Sequence, residues 1–170
     1  MHQRLIRLPF MSGAMSSGFA LLAIRLVMGP LLAWHGFKKI EGGVEQFVGT
    51  VDRLGFPLPE LLARGVIAIE LVGGICLALG LFTRLWGGLL TVQMLLIVFK
   101  VKWDVGLFGP PGRGGGFEID LLYAVTGAAL LLAGPGLAAL DHLLGLEANP
   151  AEEQAAPAER MVRTEGRSAG

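Results

Sequence analysis

The sequence predicts an all-α integral membrane protein: a four-helix antiparallel bundle with a short interfacial amphipathic helix between spans one and two. Three observations carry this. Apolar residues make up 53% of the chain, charged residues only 16%, and mean hydropathy is +0.62, more than a soluble domain of 170 residues needs for its core. The apolar residues fall in long blocks, close to the roughly 20 helical residues that cross a bilayer core. No block alternates with period two, so helices rather than a barrel must satisfy the backbone in hydrocarbon.

Residues 1–17 form a basic N-terminal segment. Together with the apolar run that follows, this segment imitates a signal peptide. That run is long, contains Arg25 and has no A-x-A site, so it is predicted to stay as the first span. The membrane domain then covers 18–146, with spans at about 18–36, 61–81, 85–101 and 117–134. Between spans one and two, Val44, Phe47, Val48, Val51 and Leu54 recur at helical spacing. Glu45, Gln46, Asp52 and Arg53 fall elsewhere on the wheel, which suits a helix lying on the membrane surface until Pro57 and Pro59 end it. The three residues "FTR" make spans two and three a tight hairpin. "KWDVGLFGPPGRGGG" forbids regular helix and predicts a loop cap at the bundle mouth. Pro135 is expected to begin a short helix, and 147–170 reads as a disordered tail.

An even number of spans puts both termini on one side. Lys38, Lys39, Arg53, Arg64, Lys100, Lys102 and Arg113 lie on the other side, against Arg4, Arg7 and Arg84 on the terminal side. This bias places the larger loops in the cytoplasm and the termini outside.

Ionisable groups within spans cost roughly 2.5–3.5 kcal/mol each on insertion scales, so they need partners. Counted from the span edges, the α-carbons of Arg25 and Glu70 differ in depth by about 6 Å, with Gln93 between them. The expectation is an intramembrane cluster of Arg25, Glu70 and Gln93, in which Arg25 is the counter-ion of Glu70. Such a pair can serve a ligand or simply fix helix register. A polar mouth is expected at the opposite end from His35, Lys39, Lys100, Glu118 and Asp120. The acidic pair there also suits a helix start, and the lysines can snorkel. Cys76 is alone, so internal disulfides and paired-cysteine metal sites are excluded; it reads as a small buried hydrophobe. No haem, metal or nucleotide motif is present, no catalytic residue can be named, and zero net charge gives no pull toward nucleic acid.

Four stretches together resemble the DoxX-like family of small four-helix bacterial inner-membrane proteins. They are "IRLVMGPLLAWHGFKKI", "GFPLPELLARGVIAIELVGGICLALGLFTRLWG", and "GGGFEIDLLY" followed by "GPGLAALD". The resemblance covers roughly residues 20–145 and marks Arg25, His35, Gly36, Lys39, Glu70, Thr83, Arg84 and Glu118 as motif positions. It implies a multi-pass inner-membrane protein linked to quinone-dependent thiosulfate oxidation, quinone or catechol stress, or thiol redox homeostasis. The polar level of Arg25, Glu70 and Gln93 and the mouth at His35 are read as a site for a quinone-like or other small amphipathic molecule, and any enzyme would be an oxidoreductase subunit working with a redox-protein partner. A non-catalytic scaffold in a redox complex is the alternative. A transporter reading would require homo-oligomerisation.

Overall fold

A computed structural model describes residues 13–110 and 115–148. The basic segment before residue 13, Arg113 and most of the tail read as disordered lie outside the described residues. The order of elements is α1 (Gly13–Glu41), α2 (Val44–Arg53), α3 (Pro59–Leu79), α4 (Thr83–Leu96), α5 (Glu118–Ala133) and α6 (Leu140–Leu143). All described regular structure is helical. Three stretches are long and apolar enough to cross a membrane: Ser17–Glu41, Pro59–Leu79 and Thr83–Val105. α5, with 16 residues, is the fourth helix of the bundle.

The element boundaries follow local chemistry. Pro59 opens α3, where its missing N–H costs no helical bond. Gly80 ends it in the left-handed region (φ 69°), and the Leu81 N–H reaches back to Cys76 O at 2.8 Å. Phe82 (φ 49°) pays the turn's strain, a conformation that disfavours side chains. α2 is the amphipathic helix expected between spans one and two, its apolar side turned to α3.

Packing is set by small residues. α1 lies along α3 and α4 along α5. A Cβ on Gly36 would stand 2.5 Å from the Leu71 amide nitrogen, and one on Gly74 would stand 2.5 Å from that of Ala33. Gly87 and Gly127 make the same close approach between α4 and α5. Leu32, Leu77, Leu90, Met94, Tyr123, Ala124 and Leu130 fill the centre. Leu26, Val72, Val92 and Leu122 face outward, as lipid-facing residues do.

Three expectations need correction. The first span does not stop at Gly36 but runs on to Glu41, because Lys38 and Lys39 find acidic partners instead of ending the helix. The third span does not stop near residue 101: beyond Leu96 it continues as a π-helical turn, Ile97–Lys102, and a 3-10 turn, Trp103–Val105. Pro135 does not begin a helix. Positive φ at Gly134, Gly136 and Ala138 keeps that segment irregular until Leu140. The expected loop cap closes on itself, with Phe117 N–H on Gly106 O and Glu118 N–H on Leu107 O. Trp103 stacks on Phe117 across it at 6.0 Å.

Candidate functional site

Glu70 is 3% exposed, at the middle of α3. One carboxylate oxygen accepts from Lys39 Nζ of α1, and the other accepts from Gln93 Nε2 of α4 at 2.9 Å. Three helices therefore meet on one carboxylate. The amide of Gln93 is turned by this bond, which leaves its Oε1 buried and without a partner. The Lys39 side chain is 24% exposed, and its ammonium also lies 5.5 Å from the ring centre of Phe47 on α2. The surface helix thus touches the same cation that holds the buried acid. Tyr123 of α5 packs nearby, its ring edge-on to His35 at 6.2 Å.

The Arg25–Glu70 pair is not formed. Gly36 against Leu71 sets the register of α1 on α3, which puts Arg25 three turns away along α1, about 16 Å from the level of Glu70. Span edges mislead here because α1 runs past the end of α3, which puts Arg25 beside Gly80, while α3 runs past α1 at the opposite end. The counter-ion of Glu70 is Lys39, a residue expected only at the mouth.

The mouth is likewise rearranged. Lys102, not Lys100, pairs with Asp120, at 2.6 Å. The π-helical turn carries more residues per turn than an α-helix, so Lys100 rotates off the stripe of Trp86 and Gln93 and is exposed. His35 and Glu118 are exposed, and among the described residues no three His, Cys, Asp or Glu side chains converge to hold a metal.

Arg25 is fully buried in a second polar group, at the terminal end of the bundle. Its Nη2 donates to Leu137 O at 3.0 Å and Ala138 O at 3.1 Å. Asp141 accepts from the backbone N–H of Phe82 at 2.7 Å and of Thr83 at 3.0 Å, fastening the strained start of α4. Arg84 donates to Leu131 O and Leu132 O, satisfying the last turn of α5, and pairs with Glu147. Asp141 went unread in the sequence. Its one signal was the "LD" that closes the family-like "GPGLAALD". Asp141→Ala strands two buried N–H groups and removes the negative charge nearest Arg25. A loss of about 3 kcal/mol is expected from the two stranded donors, read as a lower unfolding midpoint in detergent. Asp141→Asn keeps one acceptor and should lose less.

An apolar groove of about 460 Å³ runs beside the Lys39 end of this arrangement, lined by Ile40 and Val44 and by Ile67, Ala68, Leu71 and Val72 of α3. Glu45 and Arg64 stand on its rim, 3.5 Å apart and exposed.

The comparisons agree with the family resemblance. The DoxX family model matches residues 20–103. A Bacillus subtilis (strain 168) protein named "Putative oxidoreductase CatD" is 32% identical over 122 residues, which is 71% of this chain and 83% of that protein. A Haemophilus influenzae protein described as uncharacterized is 35% identical over 126 residues, 73% of this chain and 90% of its own. No solved structure matches. The chain belongs to the DoxX family of multi-pass membrane proteins.

Proposed function

We propose that this DoxX-family chain is a membrane component of a redox or stress-response system. It binds a quinone-like or other small amphipathic molecule at the Lys39–Glu70–Gln93 centre. In this reading α5 is the fourth span, the protein sits in the bacterial inner membrane, and both termini face outward. The observation that carries the proposal is a buried carboxylate held by a lysine that is itself partly exposed, with the next residue of α1, Ile40, lining an apolar groove. The volume of the groove falls within the roughly 300–1,000 Å³ of small-molecule sites. The apolar body of the ligand would lie there, and its polar end would meet the Lys39 ammonium. The name of the Bacillus subtilis relative supports the redox association. A redox-protein partner would exchange electrons with the bound molecule.

The test is native mass spectrometry of protein extracted gently from its own membrane. The expected result is a bound molecule of a few hundred daltons that is lost in Glu70→Gln, with the variant still present in the membrane. A scaffold role is the second reading. It is favoured by Arg25, Thr83 and Arg84, motif positions that lie in the terminal-end fastening, away from the Lys39–Glu70–Gln93 centre. Bare protein in stoichiometric complex with another subunit would establish that role and sink the ligand proposal.

A further inference from the structure

The terminal end of the bundle holds a set of buried donors with no acceptor. Arg25 and Thr83 are both 0% exposed. Arg25 Nε and Nη1, and Thr83 Oγ1, have no hydrogen-bond partner. Trp86, one turn further along α4, has a buried indole N–H close to the Cys76 thiol and no oxygen acceptor. These groups share one neighbourhood. A Cβ on Gly80 would fall on Arg25 Nη1, Gly80 O accepts from Asp141 N–H at 2.9 Å, and Asp141 accepts from the Thr83 N–H. Cys76 lies one turn before Gly80 on α3.

Polar groups buried in a bundle are almost always paired, because a bare donor carries its full desolvation penalty. Several in one place call for an occupant that supplies acceptors. Its charge can be argued too. Asp141 already opposes the Arg25 guanidinium, and the first amides of α4 are spent on that same carboxylate. An anion would therefore bring a second negative charge to a site already balanced. We infer that Arg25, Thr83 and Trp86 form a second binding site, at the end of the bundle away from Glu70, for a neutral oxygen acceptor. Two sources share that chemistry: ordered water, and the carbonyl oxygen of a membrane-soluble molecule.

Thr83→Val deletes one donor with little change in shape, and Thr83→Ser keeps the hydroxyl. If an acceptor is bound, Thr83→Val lowers the melting temperature of the full chain in detergent by about 2–4 °C, and Thr83→Ser does not. If the donor is bare, removing it leaves the melting temperature unchanged or raised, which overturns the inference. Should Thr83→Val fail to fold, Thr83→Ala measured against Thr83→Ser carries the comparison. Hydroxyl-radical labelling of Trp86 with no added mass in native mass spectrometry assigns the occupant as water. A co-purified mass that Trp86→Phe loses and Glu70→Gln keeps assigns it as a carbonyl compound. Destabilised variants with neither signature overturn the inference, as does stabilisation by sulfate that Thr83→Val abolishes.

Discussion

Lys39→Met is expected to cost about 3–5 kcal/mol, the range for breaking a buried ion pair by removing one partner. Lys39→Met should cost more than Glu70→Gln. The asymmetry comes from geometry. Glu70 is 3% exposed on a short side chain and cannot reach water when its cation is gone. Lys39 is already partly exposed, and its long stem lets the ammonium move outward when the carboxylate is neutralised. Glu70→Gln can also keep a side-chain amide contact with Gln93. The double variant Lys39→Met/Glu70→Gln should therefore recover most of the abundance lost in Lys39→Met alone. The measurement is the amount of monodisperse protein recovered from membranes, together with its unfolding midpoint. A double variant no more abundant than Lys39→Met would sink the ion-pair account. Recovered abundance without recovered ligand would separate the architectural role of the centre from its binding role.

Gly74→Val should prevent the α1–α3 pair from forming. A Cβ there would stand 2.5 Å from Ala33 N and 2.7 Å from Gly29 O, both backbone atoms that cannot turn aside. Overpacking against flexible side chains costs about 1–3 kcal/mol, so a clash with backbone belongs at or beyond the top of that range. The expected result is loss of folded protein on size-exclusion chromatography in detergent. Gly65→Ala is the control: nothing lies within 4 Å of its Cβ position, and the change should be neutral or stabilising. Equal recovery of Gly74→Val and wild type would show that α1 and α3 do not pack through these glycines.

Hydropathy made the helices legible, since each apolar block in the sequence became a helix. The amphipathic α2 was legible from spacing alone, because five apolar residues at helical intervals leave little choice of face. Helix register was not legible. It depends on which glycine of α1 meets which glycine of α3, and depth counted from span edges paired Arg25 with Glu70 wrongly. The π-helical turn was also hidden. Nothing in "IVFKVK" distinguishes it from an α-helix, so Lys100 was chosen where Lys102 makes the contact. The fastening by Asp141 sits on the single turn of α6, placed by a preceding irregular segment with three positive-φ residues, and hydrophobic periodicity says nothing about such a segment. Glu70 and Gln93 could be recognised as a pair because two polar residues in otherwise apolar helices have few places to go.

The contacts of Arg25 span 112 and 113 positions of sequence. Chain synthesis runs from the N-terminus, so the first helix enters the bilayer long before the ribosome reaches Leu137 and Ala138. Until then its guanidinium lacks the carbonyls that hold it in the finished bundle. Asp141, which fixes the start of α4, arrives later still. A chain cut off before residue 137 would carry every long apolar helix yet leave the Arg25 guanidinium without the two carbonyls that hold it in the finished bundle.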